Sequence, residues 1–178
     1  MPAKPYDLII IGAGVASASA LIRLRGQGLK IGVVAPKTRP AFRIGETLGP
    51  AGAEELKKLG ILSAFHQEEH WPAEQKFSCW GSNQLMRVPQ NGTVQSWYLD
   101  RVKFEDFLWK EALKTDFDYL AEKALKREGQ TDNWQLLTDD GVHHCQMILD
   151  ASGRAAVTIR NHFQRVRHDK LVAAYVSL

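Results

Sequence analysis

A strand, a glycine-rich turn, a helix and a second strand follow one another in residues 6–35, YDLIIIGAGVASASALIRLRGQGLKIGVVA. Leu8–Ile11 and Ile31–Ala35 are short, nearly unbroken apolar runs, which are typical of strands buried on both faces of a parallel sheet. Between them, Ala18, Leu21 and Ile22 lie on one side of a helix. This order predicts a βαβ unit and therefore an α/β fold with a parallel central sheet.

The glycines predict that this unit binds a dinucleotide. In a Rossmann-like fold the first glycine makes the tight turn, and the second lets a pyrophosphate approach the backbone at the helix start. We expect the phosphates against the helix that begins near Val15. Ser17 stands where a third glycine usually packs helix against strand, and it is small enough to serve there. The predicted phosphate-binding residues are Gly12, Ala13, Gly14, Val15, Ala16 and Ser17.

The acidic residue that commonly binds the ribose is absent. It is expected about twenty residues beyond the glycines, where this chain has Ala35, Pro36 and Lys37. A charge-assisted hydrogen bond contributes about 1.5–3 kcal/mol, so its loss would weaken binding about ten- to a hundredfold. The basic Lys37, Arg39 and Arg43 suggest a 2′-phosphate acceptor and hence NADP. A solvated basic loop is the alternative, and the opening unit alone leaves the choice open.

Composition excludes several function classes. The chain has 178 residues, with 23 Lys+Arg against 20 Asp+Glu spread along it, which predicts no nucleic-acid partner. The first apolar run follows Asp7 and is interrupted by glycines, so it predicts neither a secretion signal nor a membrane span. Cys79 and Cys145 have no metal-type spacing, which favours free thiols in a reducing compartment, by default the cytoplasm. His143 and His144 lie on opposite faces of a strand, which argues against a metal site.

Four further segments carry more specific motifs: FRIGETLGPAGAEELKKLGIL, SCWGS, WYLDRVKFEDFL and ILDASGRAA. Together they resemble the FAD-dependent monooxygenase superfamily, in the branch of tryptophan-halogenase-like enzymes and the flavoproteins that mature quinone cofactors. Gly45-Glu46-Thr47 before Pro50 is similar to the branch's Gly-Glu-Ser/Thr element. Asp100-Arg101 before Phe104 is similar to its Asp-Arg-x-x-Phe helix start, and residues 150–154 to its Asp-Ala-Ser/Thr-Gly-Arg turn. The resemblance runs through nearly all of the chain.

This resemblance implies FAD as the cofactor of an oxidoreductase in which reduced flavin and oxygen oxidise a substrate. It implies that the backbone near Ala124 lies against the adenine. Lys76 stands near where the halogenase-like branch carries a lysine directed at the flavin, so it is the candidate catalytic residue. An exposed lysine at a strand end is the alternative. Further cofactor-binding residues expected on this basis are Pro36, Lys37, Arg43, Gly45, Glu46, Thr47, Arg101, Ala124, Ala151, Ser152 and Gly153.

Each motif also has a local interpretation. Pro50 begins a helix that Gly60 ends, which places residues 45–48 in a loop. Asp100 is a good N-cap, and this puts Arg101 in an exposed first turn, where a phosphate partner would explain a cation that opposes the helix dipole. From Tyr119 onward the pattern predicts the strands of a β-meander, and the resemblance implies that they return the chain beside the first strand.

The whole chain, residues 1–178, is thus predicted to be the N-terminal portion of an FAD-binding domain. It would include the start of a substrate-facing sheet near residues 76–98 and 170–178. The family closes its flavin site with a Gly-Asp element, and this sequence contains no Gly-Asp dipeptide. We therefore expect a missing second half, a second chain or self-association. An NADP-dependent reductase and a non-catalytic module are the alternative functions, and an aromatic substrate, small or protein-bound, is expected.

Overall fold

The computed structural model describes residues 5–37, 44–73, 75, 77–81, 83–87, 96–160, 163 and 166. Three residues of the sequence-based hypotheses, Arg39, Arg43 and Lys76, lie outside these ranges, as does the segment 170–178. Their predicted roles are therefore not tested by the structure.

Eleven strands and four α-helices make up the described part of the chain. The first half comprises β1 (Tyr6–Ile11), α1 (Val15–Leu24), β2 (Ile31–Val34), β3 (Glu46–Leu48), α2 (Pro50–Lys58), α3 (Leu62–His66) and β4 (Trp71–Ala73). The second half comprises β5 (Phe77–Ser78), β6 (Met86–Arg87), β7 (Ser96–Leu99), α4 (Arg101–Ala112), β8 (Asp118–Leu120), β9 (Ala124–Gln130), β10 (Asn133–Thr138) and β11 (Val142–Asp150).

The central sheet has six strands in the order β8-β2-β1-β11-β10-β9. Its neighbours β8, β2, β1 and β11 are parallel, whereas β11, β10 and β9 form an antiparallel meander. The predicted βαβ unit and the return of the chain beside the first strand are both confirmed. Because β2 and β11 flank β1 on opposite sides, the ends of these strands surround a crevice of the kind in which α/β sheets bind ligands.

The unbroken apolar run of β1 is explained by cover on both faces. Leu8 and Ile10 pack with the buried sides of α1 and α4. Ile9 and Ile11 point the other way and pack with Leu136 of the meander. Successive side chains of a strand alternate between faces, so only a strand between two layers needs four consecutive apolar residues.

Helix α4 is fixed at both ends. Asp100 accepts hydrogen bonds from the backbone N–H groups of Val102 (3.0 Å) and Lys103 (3.1 Å), which confirms it as the N-cap. The Trp109 indole N–H donates to the Ala13 carbonyl over 3.0 Å, so α4 also holds the glycine turn after β1. Just after the helix, the Thr115 hydroxyl donates to the Leu21 carbonyl of α1 over 3.0 Å.

A second, three-stranded sheet has the order β3-β7-β4. Its presence corrects the expected loop at residues 45–48, because Glu46, Thr47 and Leu48 pair with Leu99, Tyr98 and Trp97 of β7. Helix α2 does begin at Pro50, as expected. The error arose because so short and polar a strand has no periodicity of its own and forms only where β7 supplies its hydrogen-bonding partner.

Candidate functional site

The turn after β1 is shaped by a close contact with the turn after β11. Gly12 has a φ of +107°, and a Cβ at this position would lie 2.6 Å from the carbonyl oxygen of Ala151. The Gly12 N–H donates to Val34 at the end of β2, and the Ala151 N–H donates to Ile11 at the end of β1, both over 2.9 Å. The structure therefore brings Gly12 together with the predicted residues Ala151 and Ser152.

Helix α1 begins immediately after this turn, with Gly14 as its N-cap. The first amide groups of an α-helix have no acceptor within the helix, and glycine has no side chain with which to cap them. A Cβ on Gly14 would meet no atom within 4 Å. The space in front of Val15 and Ala16 is thus open to a ligand, and amide groups together with the helix dipole favour an anion there.

Ser17 lies on the inner side of α1 and is completely buried. Its hydroxyl has no hydrogen-bond partner among the residues that the structure describes. The side chain therefore packs between helix and sheet, as predicted for this position, and does not face the open space at the start of α1.

The ends of β2 and β8 meet at the position of the missing ribose acid. The Ala35 N–H donates to Leu120 over 3.1 Å, and the Tyr119 hydroxyl donates to the Pro36 carbonyl over 3.2 Å. Pro36 and Lys37 are exposed there. Ala124 is buried in the cluster that contains the last residues of β1 and β2, Ile11 and Val34. Pro36 and Lys37 therefore lie just beyond β2, and Ala124, at the start of β9 in the meander, packs with the last residues of β1 and β2.

Arg101 joins two of the sequence motifs. Its Nη1 forms an ion pair with the Glu46 carboxylate, and its Nε donates to Glu105 over 2.8 Å. The Arg101 side chain is 17 % exposed, the Glu46 side chain 60 % and the Glu105 side chain 6 %. Arg101 is in the first turn of α4 as predicted, but it is less exposed than predicted, because these carboxylates cover it.

A cleft of about 270 Å³ extends from the start of α1 to Arg101. Its walls are Val15 and Ser19 of α1, the three residues of β3, the inner side of α2 and the first two turns of α4. Glu46 and Thr47 line it, so two of the three Gly-Glu-Thr residues lie in the same cleft as Val15 and Arg101. Gly45 lies beside it, where a Cβ would be 3.1 Å from the Leu99 carbonyl.

The turn after β11 is held by the Asp150 carboxylate. Asp150 accepts hydrogen bonds from the backbone N–H of Ser152 (3.0 Å) and from the N–H (2.8 Å) and hydroxyl (2.7 Å) of Thr158. The Ser152 hydroxyl also donates to it. Burial alone would raise the pKa of Asp150, but these hydrogen bonds stabilise the charged form and lower the pKa below its usual value.

This network makes the stability of the turn dependent on pH. A carboxyl group whose pKa is lowered by folding stabilises the fold at pH values above its pKa in the unfolded chain, about 3.9. This stabilisation is lost as the pH falls through the pKa of the folded protein. We expect Asp150→Asn to lower the free energy of unfolding at pH 7 by about 1.5–3 kcal/mol. This difference in stability between the variant and the parent should decrease towards pH 2, where Asp150 is protonated in both states. Urea unfolding at several pH values measures both effects, with the exposed Asp140→Asn as the control. A gap that stayed constant with pH would contradict this role.

Two residues that support the site, Glu105 and Trp109, were not predicted from the sequence. Glu105 is buried although it is charged, and its only sequence signal was its position four residues after Arg101, the spacing of an ion pair on a helix. Trp109 had no signal, because its hydrogen bond to Ala13 joins residues that are distant in sequence.

At β11, His144 is exposed and Cys145 is buried, and burial raises the Cys145 pKa to about 11.

No protein-family model matches the sequence. The arrangement of a glycine turn, a helix, a parallel sheet and a meander is the FAD-binding fold, and the solved structures similar to this chain confirm the predicted resemblance to flavin-dependent halogenases and monooxygenases. One is a flavoprotein/dehydrogenase from Cytophaga hutchinsonii, with a TM-score of 0.71, 24 % identity and coverage of 88 % of this chain and 41 % of that one. Another is the myxobacterial chondrochloren halogenase, a variant of FAD-dependent halogenases, with a TM-score of 0.71, 18 % identity and coverage of 86 % and 38 %.

A curated relative agrees with these structures. The 1H-pyrrole-2-carbonyl-(peptidyl-carrier protein) brominase of Pseudoalteromonas luteoviolacea is 26 % identical over 156 residues, which are 85 % of this chain and 38 % of the relative. The chain thus spans about two fifths of the length of the proteins it matches. In the described part of the chain, no helix is both long and apolar enough to cross a membrane.

Proposed function

We propose that this chain forms the FAD-binding portion of a flavin-dependent oxidoreductase of the halogenase and monooxygenase type. The observation that carries the proposal is the single cleft that joins the open start of α1 to Arg101 and Glu46. Two independent sequence motifs, the glycine turn and the Asp-Arg helix start, meet there. The free amides and the dipole at the start of α1 favour a phosphate, and Arg101 carries a guanidinium that can bind one.

The residues present fit such a ligand. Gly14 leaves the approach to the first amides of α1 free, and the pyrophosphate would lie against Val15 and Ala16. Arg101 stands on the far wall of the same cleft, and Arg43 remains a further candidate. The adenosine would lie along the strand ends near Pro36 and Ala124. The turn at Ala151 to Gly153 forms the remaining side, next to Gly12.

Bound FAD would supply the redox chemistry, and the chain's own residues would bind, orient and shield it. β1 is packed on one face by α1 and α4 and on the other by the meander, which holds in place the turn and the helix start that follow it. Asp150 fixes the turn beside Gly12, and Trp109 fixes the carbonyl of Ala13. Lys76 is the candidate catalytic residue.

The brominase is named for its substrate, a pyrrole carbonyl group that is attached to a peptidyl-carrier protein. This supports an aromatic substrate, small or protein-bound, for the whole enzyme. The relatives are more than twice as long as the chain, which supports further polypeptide in the complete enzyme, whether as a second half, a second chain or a second copy.

Absorbance and thermal unfolding test the proposal together. We expect the purified chain to show flavin bands or to acquire them on addition of FAD. FAD at a hundred times its Kd would stabilise the fold by about 2.7 kcal/mol. NADPH at the same concentration serves as the control. Stabilisation by NADPH and not by FAD would favour a reductase, and a colourless chain that neither ligand stabilises would contradict cofactor binding altogether.

Because no acidic residue stands at the expected ribose position, introducing one there should increase the affinity for FAD. Pro36 lies just beyond β2 at the ligand edge of the sheet and is exposed. We expect Pro36→Glu to tighten FAD binding about ten- to a hundredfold, because a carboxylate there would accept hydrogen bonds from the ribose hydroxyls, whereas Pro36→Ala changes it little. Calorimetric titration of the two variants provides the measurement. Weaker binding by Pro36→Glu would show that position 36 does not face the ribose.

A further inference from the structure

The charges in the cleft oppose the ligand that the cleft is proposed to bind. Arg101 is the cation that would contact a phosphate, yet it already contacts Glu46 and Glu105. The Glu46 carboxylate is paired with the Arg101 guanidinium, so a pyrophosphate that approached this arrangement unchanged would meet repulsion from Glu46.

The two carboxylates are held very differently. Glu105 lies one turn along the same helix, is almost fully buried and bonds Arg101 Nε over 2.8 Å. Withdrawing it would leave Arg101 without its buried partner, which is costly. Glu46 begins the three-residue strand β3, and its side chain is 60 % exposed. Solvent competes for so exposed a carboxylate, which weakens its ion pair, so Glu46 is released more easily than Glu105.

We propose that Glu46 is an exchangeable counter-ion, which occupies Arg101 in the absence of an anionic ligand and is displaced from it by the phosphates of the dinucleotide. This inference rests on the proposed function, since it names the regulation of the same cleft. A phosphate competes well, because a guanidinium binds it through two parallel charge-assisted hydrogen bonds. Glu105 stays in place and orients the guanidinium for either partner.

Such an exchange makes Glu46 a residue that sets the affinity for phosphate-bearing ligands. A phosphate-bearing ligand has to displace the carboxylate before it gains the guanidinium, whereas a ligand without phosphates leaves the Arg101–Glu46 ion pair in place. The carboxylate therefore lowers the affinity for every anionic ligand by a small factor.

The test compares two carboxylates that line the same cleft. Glu46→Gln releases Arg101, whereas Glu55→Gln removes the same charge from a residue that pairs with Lys58 instead. We expect Glu46→Gln to bind FAD and ADP about two- to fivefold more tightly than the parent, as expected for removal of a weak competing ion pair. Glu55→Gln should gain less, and neither variant should gain affinity for riboflavin, which has no phosphate.

A double variant shows whether the effect passes through Arg101. In the Arg101→Ala background, Glu46→Gln should no longer increase the affinity for FAD, because there is no guanidinium to release. Flavin fluorescence measures FAD and riboflavin, and calorimetry measures ADP. Thermal unfolding of each variant shows that the fold is retained.

The outcomes separate this inference from the function on which it rests. A parent chain that binds neither FAD nor ADP overturns both. A parent that binds FAD while Glu46→Gln binds it no more tightly than Glu55→Gln overturns the exchange alone. Weaker binding of FAD by Glu46→Gln would mean that Glu46 contacts the cofactor itself, and this also overturns the exchange.

Discussion

Gly12→Ala is expected to destabilise the fold by about 2–5 kcal/mol, through backbone strain and a steric clash together. The added Cβ would lie 2.6 Å from the Ala151 carbonyl oxygen, which is backbone and has no rotamer with which to move away. The φ of +107° is also unfavourable for any residue with a side chain. The variant therefore has to separate the turns after β1 and β11 or remain strained.

A matched variant separates the two causes. Gly26 also has a positive φ, +76°, but a Cβ there would meet no atom within 4 Å. Gly26→Ala should lower the free energy of unfolding only through the left-handed backbone conformation, by about 1–2 kcal/mol. Urea unfolding of both variants and the parent gives the comparison. If Gly12→Ala were no less stable than Gly26→Ala, the close contact between the two turns would be wrong.

Gly14→Val is expected to abolish tight FAD binding with little change in stability. The branched side chain would project into the open space in front of the first amides of α1, where the pyrophosphate is proposed to lie. We expect the affinity to fall at least about a hundredfold, since a group of this size in a filled site costs several kcal/mol. The backbone at Gly14 is extended, so valine adopts it without strain.

The control for this variant is a second glycine N-cap. Gly49 caps α2 in a similar extended conformation, and a Cβ there also meets no atom within 4 Å. Gly49→Val therefore reproduces the loss of a favourable N-cap residue, up to about 1 kcal/mol, without entering the proposed phosphate site. Retention of full FAD affinity by Gly14→Val, or an equal loss in both variants, would contradict the placement of the phosphates.

Local sequence predicted the elements that carry their own periodicity or capping signal. The strand before Gly12, helix α1 and the N-cap at Asp100 were predicted correctly, because burial on two faces, a helical stripe and a short polar cap leave patterns within a few residues. The return of β11 beside β1 followed from the family resemblance together with the apolar run before Asp150.

The parts that were not predicted depend on contacts between distant segments. β3 has a polar sequence and exists because β7 pairs with it. The coverage of Arg101 by Glu46 follows from that pairing, since β3 carries Glu46 to the first turn of α4. Likewise, the requirement for glycine at position 12 was attributed to a tight turn, whereas the structure adds the Ala151 carbonyl as its main steric cause.

Amide chemical shifts measured during an FAD titration test the central claim most directly, since a 20.0 kDa chain is within the range of such spectra. The account predicts that the backbone N–H resonances of Val15, Ala16 and Ser17 and the Arg101 Nε–H resonance shift together, with one dissociation constant. ADP should reproduce the shifts at α1, and riboflavin should not. Saturable FAD binding that leaves these four resonances unchanged would contradict the proposed site.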